Sequence, residues 1–345
     1  MEQFGGKVRK TDLEKLERSK NWKNGKFENL IETKMDMSLG KIPKLLKDNI
    51  KGKSKRVPQS NLPILPFDLE KFERDSGEPT FVWYGHSVCL IRINGKNLLI
   101  DPMLGPDAAP IAPFASKRFS ANSLDIIDNL PEIDAVLMTH DHYDHLDLDS
   151  IKKLRPLVKS WFVGLGISRH LEKWKIPADQ ITEFDWWDNL EFENIQITYT
   201  PSRHFAGRGA FDRAKSLWGG WVFKTEEHSL YWSGDSGYGP HFKAIGEKLG
   251  PFDFGFMECG QYNENWHAIH MYPEESVKAA LDAGVKKATA VHWAGFSLAL
   301  HHWKEPIERF IKEAKALGLE VCTPQIGEAV AISESSNELW WLNIY

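Results

Sequence analysis

The fold is decided by the stretch Thr139-His-Asp-His-Tyr-Asp-His-Leu-Asp147, where four side chains of metal-ligand type fall within six residues. The stretch follows a short apolar strand and leaves little room for regular structure before the next helix. In an extended turn, His140 and His142 project to the same side, while Asp144 and His145 turn back to face a neighbouring point. Imidazole and carboxylate donors at this spacing suit first-row divalent metals. The turn is therefore predicted to serve two neighbouring ions.

The remaining ligands of such a site are predicted at the ends of other strands. Three residues qualify, because each ends a predicted strand: His204, Asp235 and His292. Loops at one edge of a rigid sheet are the usual place for such ligands. The alternative, a polar loop with chance histidines, explains a single histidine well and this cluster poorly. A purely structural zinc site is disfavoured, because the stretch contains no thiolate.

The chain around this stretch is predicted to form mixed sheets with helices on the outside. Residues 81–84, 88–93 and 97–101 are typical of three successive strands, with Asn94-Gly95 as the hairpin turn between the last two. Helices and strands then alternate, and the order of elements repeats from Trp218 onward. Such a pattern predicts an α/β protein whose two halves are alike.

Composition places the chain among ordinary soluble proteins. It has 345 residues, 42% of them hydrophobic and 26% charged, which excludes wholesale disorder, a collagen-like fibre and a small disulfide scaffold. Its three cysteines are odd in number and far apart, so no disulfide framework is expected. The N-terminus lacks the apolar region of a signal peptide, and no stretch is apolar enough to span a membrane. A cytoplasmic location is therefore predicted.

The charges are distributed unevenly along the chain. Residues 1–57 hold 16 Lys and Arg against 8 Asp and Glu, whereas residues 58–345 hold 27 against 40. We therefore predict a basic N-terminal extension and connector at 1–66, followed by the main domain at 67–345. The amphipathic stretch 41–51 suggests a peripheral contact with a membrane or with nucleic acid. The simpler interpretation is a solvated, partly helical extension that packs loosely on its own domain.

The motif HxHxDH, followed at long range by a histidine, the aspartate of Ser-Gly-Asp-Ser-Gly and a last histidine, resembles the metallo-β-lactamase superfamily. The resemblance covers roughly residues 79–330 and implies that superfamily's four-layer αββα sandwich with two metal ions. Further segments resemble the branch of N-acyl-phosphatidylethanolamine-hydrolysing phospholipase D and its bacterial relatives: Trp83-Tyr-Gly-His86-Ser, Leu99-Ile-Asp101-Pro, Arg203-His-Phe-Ala-Gly-Arg208, Leu217-Trp-Gly-Gly-Trp221 and Val291-His-Trp293.

This resemblance assigns the ligands to two metal ions. One ion is held by His140, His142 and His204, the other by Asp144, His145 and His292, and Asp235 bridges the two. Two such ions lower the pKa of a shared water and give a hydroxide nucleophile at neutral pH. Zinc is the expected metal, and manganese and iron are the alternatives.

Other residues are assigned supporting roles. His270 matches a histidine that lines the phospholipase active site, where it could give a proton to the leaving oxygen; the alternative is a structural histidine. Asp101 and Asp147 are predicted to accept hydrogen bonds from ligand histidines, although helix capping explains Asp147 equally well. His86 and His241 are expected near the site, whereas His170 and His228 are expected on the surface.

Substrate contacts are predicted beside His204 and in the segment that departs most from this branch, 259–266. Arg203 and Arg208, together with Arg213, could bind a phosphate, or they are solvated loop charges. The aromatic candidates for cleft walls are Trp186, Trp187, Trp218, Tyr262 and Trp266. His267, His301 and His302 receive no assignment.

The function implied by the resemblance is a phosphodiesterase of phospholipase-D type that acts on a phospholipid or a related phosphodiester. A lactonase or other acyl hydrolase would use the same metals. A redox diiron protein is disfavoured, because those relatives carry Glu at the position of His142 and a flavin-binding domain. A non-catalytic scaffold tethered by the basic arm is the last alternative. We expect a small-molecule or lipid substrate and no nucleic acid, and the oligomeric state stays open.

Overall fold

The computed structural model describes residues 2–35, 53–74, 77–109, 115–209 and 211–344. Before the main sheets lie a 3-10 helix (Glu2–Phe4) and the short elements α1 (Lys10–Leu16), β1 (Trp22–Lys23), β2 (Lys26–Phe27), α2 (Lys53–Arg56) and α3 (Leu69–Phe72). The amphipathic stretch predicted at 41–51 lies outside the described residues, so its membrane contact stays a prediction, as does the domain boundary at residue 66. None of the described helices is both long enough and apolar enough to cross a membrane.

The first sheet contains seven strands and combines antiparallel with parallel pairing. Its strands are β3 (Thr80–Trp83), β4 (Cys89–Ile93), β5 (Lys96–Ile100), β6 (Ile133–Met138), β7 (Val158–Gly164), β8 (Ile181–Phe184) and, from the end of the chain, β16 (Ala329–Ala331). They lie in the order β16-β3-β4-β5-β6-β7-β8, antiparallel as far as β5 and parallel beyond it. Asn94 and Gly95, with φ of 49° and 71°, form the predicted hairpin turn.

The second sheet repeats this plan. Its strands are β9 (Asn189–Phe192), β10 (Ile195–Pro201), β11 (Gly219–Lys224), β12 (Ser229–Trp232), β13 (Phe252–Glu258), β14 (Val285–Val291) and β15 (Glu320–Val321). They lie in the order β15-β14-β13-β12-β11-β10-β9, antiparallel from β9 to β12 and parallel from β12 to β15. The predicted likeness of the two halves is confirmed, although β8 and β9 were not predicted.

Helices cover the outer faces of both sheets. They are α4 (Leu148–Leu154), α5 (Ser168–Lys173), α6 (His241–Leu249), α7 (Pro273–Asp282) and α8 (Glu305–Leu317). On α8, the residues Ile307, Phe310 and Ala314 are buried, at the spacing that places side chains on one face of a helix. α7 packs between this helix and strands β13 and β14. The predicted four-layer sandwich is confirmed.

The main core lies between the two sheets. Because side chains alternate along a strand, Phe81 and Trp83 belong to the core between the sheets, whereas Val82 belongs to the outer cluster. The ring of Phe81 meets that of Phe256 edge-on at 5.0 Å between centroids, which joins β3 to β13. Burying one such side chain stabilises the fold by about 1.5–3 kcal/mol. The loops at the carboxyl ends of the central strands are thereby fixed along one edge of the sandwich.

Candidate metal centre and substrate cleft

Every predicted metal ligand lies just beyond the carboxyl end of a strand. His140 to His145 follow β6, and single ligands follow three strands of the second sheet: His204 after β10, Asp235 after β12 and His292 after β14. These strand ends meet at the same edge, so residues up to 152 positions apart in sequence come together.

Three histidines form the first group of converging donors. Nε2 of His140 lies 2.9 Å and Nε2 of His204 3.1 Å from Nδ1 of His142. Burial lowers the pKa of all three, to about 4 for His142. The rings are therefore neutral at neutral pH, which is the form of imidazole that binds a metal.

The second group contains the predicted residues Asp144, His145 and His292, together with His86. Oδ2 of Asp144 lies 2.9 Å from Nε2 of His86 and 3.5 Å from Nε2 of His145. Nε2 of His292 is buried and has no hydrogen-bond partner among the described residues. A buried ring nitrogen without a partner costs free energy, and a bound metal would remove that cost. The group therefore fits a cation.

Asp235 lies between the two groups. Its Oδ2 is 3.1 Å from Nε2 of His145 and 3.8 Å from Nε2 of His140, and its Oδ1 is 3.3 Å from Nδ1 of His292. Burial raises the pKa of Asp235 to about 6. Oδ2 thus faces both groups and Oδ1 faces the second group, so this carboxylate is placed to contribute to both sites. Nitrogen and oxygen donors without any thiolate fit a borderline divalent ion.

Asp101 supports the second group from behind. Its Oδ2 lies 2.8 Å from Nδ1 of His145 and accepts a hydrogen bond of 2.6 Å from the Thr139 hydroxyl, while its Oδ1 accepts one from the Thr139 amide. A carboxylate on Nδ1 keeps the proton there and leaves Nε2 as the ligand atom. The structure thus places Asp101 in the supporting position that the sequence predicts for it.

Two roles were predicted for Asp147: to accept a hydrogen bond from a ligand histidine, or to cap a helix. The structure does not show the first. The Asp147 side chain accepts hydrogen bonds from the amide and the hydroxyl of Ser150, at 2.8 and 2.6 Å, and so caps α4. None of its recorded hydrogen bonds reaches a ligand histidine in the described parts of the chain. The capping interpretation is the correct one: the first amides of a helix have no partner within the helix, and the Asp147 carboxylate accepts a hydrogen bond from one of them, the amide of Ser150.

Asp141 anchors the ligand turn from its opposite side, a role that was not predicted from the sequence. Its carboxylate accepts hydrogen bonds from the amide of Gly207, at 2.7 Å, and from the Ser216 hydroxyl, and it lies 3.2 Å from Nε2 of His170. His170 is fully buried, so its predicted place on the surface is wrong. The signal in the sequence was the position of Asp141 between the ligands His140 and His142. Successive residues of an extended turn face opposite sides, so Asp141 must point away from the metal ligands.

His270 lies beside both groups and is paired with a carboxylate. Nδ1 of His270 is 2.7 Å from Oε1 of Glu258, and the His270 ring is 5.0 Å from the His204 ring and 5.3 Å from the His292 ring. Burial lowers the pKa of His270 to about 3 and raises the pKa of Glu258 well above its usual range. Glu258 was not predicted, although a carboxylate at the end of the apolar strand β13 was the signal.

A cleft of about 390 Å³ opens above these residues. Its floor is formed by His142, Asp144, His204, Asp235, His270 and His292. Its walls are Met35, Phe205, Arg213, Gln261, Trp266, Ile269 and Leu298. Mostly apolar walls above a polar floor suit an amphiphilic ligand.

The comparisons with known proteins decide the family. Residues 96–293 match the beta-lactamase superfamily domain. The chain belongs to the metallo-β-lactamase superfamily. It is 34% identical over 319 residues to an uncharacterized protein of Mycobacterium tuberculosis, covering 91% of this chain and 85% of that protein. It is 33% identical over 270 residues to N-acyl-phosphatidylethanolamine-hydrolyzing phospholipase D 1 of Caenorhabditis elegans, covering 74% and 75%.

Solved structures agree on the fold. A metallo hydrolase from the archaeon Ignicoccus hospitalis matches with a TM-score of 0.56 at 19% identity, covering 73% of this chain and 97% of that one. The predicted superfamily and fold are therefore confirmed. Membership makes this protein a metal-dependent hydrolase with a candidate His/Asp metal site.

Two of the arginines predicted to bind substrate lie outside the cleft of this metallo-β-lactamase superfamily member. Arg203 donates to the carbonyls of Tyr238 and Glu32, at 3.1 and 3.0 Å. Arg208 is buried and donates to the carbonyls of Asp141 and Leu146, both at 2.7 Å. Both guanidinium groups satisfy backbone carbonyls, so their predicted contact with substrate is replaced by a structural one.

Arg213 and Trp266 do lie in the cleft wall. The guanidinium carbon of Arg213 is 3.8 Å from the centre of the Phe205 ring, and this arginine is exposed. Trp266 donates its indole N–H to the carbonyl of Gln261, which fixes the ring in the wall. Among the described wall residues, Arg213 is the one cation.

The other aromatic candidates pack away from the cleft. Trp218 is buried and donates to Oδ1 of Asn29 and to the carbonyl of Ser202. Tyr262 donates its hydroxyl to Oε1 of Glu305 at 2.8 Å, so its predicted contact with substrate is replaced by a contact with α8. Trp186 is also buried, and Trp187 stacks under Lys248. The indole rings of Trp186 and Trp218 therefore fill space inside the sandwich and do not line the cleft.

The unassigned histidines and the two expected near the site take mixed positions. His86 joins the second donor group, whereas His241 has its Nε2 3.0 Å from the Ser236 hydroxyl. Nε2 of His301 accepts a hydrogen bond from the Gln261 amide, and its ring stacks on Tyr262. His301 therefore shapes the loop that carries Gln261 into the cleft. The other two histidines lie on the surface: His267 pairs with Glu275, and His302 is exposed.

Proposed function

We propose that this metal-dependent hydrolase is a phosphodiesterase of phospholipase-D type that holds two zinc ions and cleaves a phospholipid or a related phosphodiester. The observation that carries the proposal is the cleft, in which the described residues place apolar walls and a single arginine above the metal-ligand floor. An amphiphile with one anionic group matches this arrangement. The similarity to the Caenorhabditis elegans phospholipase supports the same choice.

In this proposal the candidate ligands form two neighbouring metal sites. The three-histidine group would hold one ion, Asp144, His145 and His292 would hold the other, and Asp235 lies between the two groups. When bound, such a pair of ions supplies a hydroxide at neutral pH and neutralises charge on the phosphoryl group. Manganese and iron stay alternatives to zinc, because this donor set accepts all three.

His270 and Glu258 form a proton-transfer pair in this proposal. Nδ1 of His270 is occupied by Glu258, so Nε2 is the nitrogen that remains for a substrate. Burial favours the neutral form of both groups, because it raises the pKa of Glu258 and lowers the pKa of His270. Nε2 gives its proton to the leaving oxygen while Nδ1 takes the proton from the Glu258 carboxyl group, so the imidazole stays neutral throughout.

Arg213 recognises the anionic group of the substrate. It is exposed at the cleft wall and no carboxylate is paired with it in the described structure. A guanidinium group can donate two parallel hydrogen bonds to a phosphoryl group. Stacking on Phe205 holds the plane of the guanidinium group in place.

The test uses the full chain reconstituted with zinc. We expect hydrolysis of bis-p-nitrophenyl phosphate and of glycerophospholipid vesicles, and we expect chelation or the substitution Asp235→Asn to abolish both. Asp253→Asn is the matched control, because Asp253 pairs with Lys286 at the far end of β13. Parallel reconstitution with manganese and iron identifies the active metal.

Two results would refute the proposal. The first is a metal-loaded protein that is inert towards all phosphodiesters. The second is turnover confined to a panel of lactones, which would favour the acyl-hydrolase alternative on the same site. A protein that binds less than one metal ion per chain after reconstitution would contradict the whole assignment of the donors.

A further inference from the structure

Residues 2–35, the N-terminal strap, run along the hydrolase body and are attached to it at many points. The Trp174 indole donates to the carbonyl of Glu2, and the amide of Phe27 donates to the carbonyl of Ala214 at 2.9 Å. Leu16 and Phe27 are buried in the main core. The strap is thus packed closely, whereas the sequence favoured a loosely packed extension.

Asn29 of the strap holds the backbone of a metal ligand. Its side-chain N–H donates to the carbonyl of His204 at 2.8 Å, and its Oδ1 accepts from the His204 amide at 3.1 Å. The same oxygen accepts from the Trp218 indole at 3.0 Å. Donors and acceptors match at every contact, which fixes the orientation of the amide group.

These contacts fix both the backbone and the ring of His204. Its backbone is held by Asn29, and its Nδ1 lies 3.0 Å from the carbonyl of Ile269. Nε2 is therefore aimed at the metal centre, 3.1 Å from Nδ1 of His142. Because His204 is buried, removal of the Asn29 side chain leaves its amide and carbonyl without these partners.

The strap continues from Asn29 to the cleft itself. Arg203, the neighbour of His204, donates to the carbonyl of Glu32 at 3.0 Å and to the hydroxyl of Thr33 at 3.1 Å. Two residues later, Met35 is part of the cleft wall. The same segment thus touches the ligand, its neighbour and the substrate space.

We propose that the N-terminal strap supports the metal centre and that Asn29 is a positioning residue for the ligand His204. This inference rests on the metal centre of the proposed function and not on its substrate. It predicts that metal affinity depends on a residue far outside the segment matched by the family, which begins at residue 96.

The test compares Asn29→Ala with Asn21→Ala in the full chain. Asn21 is the matched control, because its side chain also joins the strap to the body, through Asp185, but lies outside the His204 contacts. Zinc is titrated in competition with a chromophoric chelator, and urea unfolding of the metal-free variants measures their stability. We expect Asn29→Ala to weaken the binding of zinc about 10- to 100-fold, as loss of a group behind a metal ligand does. The control should change it by less than about 3-fold.

A second variant separates positioning from folding. Asn29→Asp keeps an oxygen for the His204 amide and the Trp218 indole but sets a carboxylate oxygen against the His204 carbonyl, so we expect zinc affinity to fall in this variant as well. Wild-type affinity in Asn29→Ala, or equal losses in Asn29→Ala and Asn21→Ala, would overturn the inference. Because zinc binding is read without substrate, a failed phosphodiesterase assay refutes only the proposed function.

Discussion

Asp101→Asn is the substitution that tests most directly how the second donor group is held. Asp101 is fully buried and its carboxylate has three contacts, two with Thr139 and one with Nδ1 of His145. Its φ of 42° lies in the left-handed region, which asparagine tolerates as well as aspartate does. The substitution therefore changes charge and hydrogen bonding without adding backbone strain.

The expected magnitude comes from the contact with His145. If the asparagine keeps its oxygen towards the Thr139 amide, its NH₂ group faces Nδ1 of His145, 2.8 Å away in the native protein. Nδ1 must then accept, which moves the ring proton to Nε2, the atom that lies beside Asp235. A hydrogen bond to a charged group contributes about 1.5–3 kcal/mol, which corresponds to about 10- to 150-fold in metal affinity.

The assay measures zinc affinity and stoichiometry by chelator competition, together with urea unfolding of the metal-free protein. Asp134→Asn is the control, because Asp134 is also a buried carboxylate of the first sheet and accepts a hydrogen bond from the Asn97 amide. We expect both variants to lose stability and only Asp101→Asn to lose zinc affinity. Unchanged affinity in Asp101→Asn, or an equal loss in Asp134→Asn, would refute the reasoning.

Three further substitutions test the cleft and its support. Glu258→Gln should lower kcat by about 100-fold or more with zinc content unchanged, because glutamine holds His270 but cannot release a proton; steady-state kinetics with metal analysis checks this. Arg213→Ala should raise KM about 10-fold for an anionic phosphodiester but not for a neutral lactone. Arg208→Ala should lower the free energy of unfolding by about 3 kcal/mol in urea, because two buried carbonyls lose their donor.

The fold and the positions of the candidate ligands could be predicted because both depend on local patterns. Short apolar runs mark β3 to β6, and Asn94-Gly95 marks the turn between two of them. The ligands follow strands directly, so the end of each strand pointed to them. The strands β8 and β9 were missed because only one of their eight residues, Phe184, is buried, which gives a weak apolar signal.

The arginines and His170 could not be placed from sequence for a different reason. A charged side chain beside a ligand is equally compatible with binding substrate and with satisfying backbone carbonyls. The path of the strap brings the carbonyl of Glu32 to Arg203, and only the fold brings Asp141 to His170. These contacts join residues more than 28 positions apart, and such pairings leave no periodic signal in one sequence.

Electrostatics explains why the site needs support from so many directions. Burial lowers the pKa of His140, His204 and His292, so these rings stay neutral although they lie close together. Three carboxylates, Asp235, Asp144 and Asp101, raise the pKa of His145 against the opposing effect of burial. Neutral rings repel one another little but also attract one another little, so their convergence must be imposed by the surrounding structure. Because one side of that structure is the N-terminal strap, the metal centre extends beyond the two sheets to a segment that composition alone marks as a basic arm.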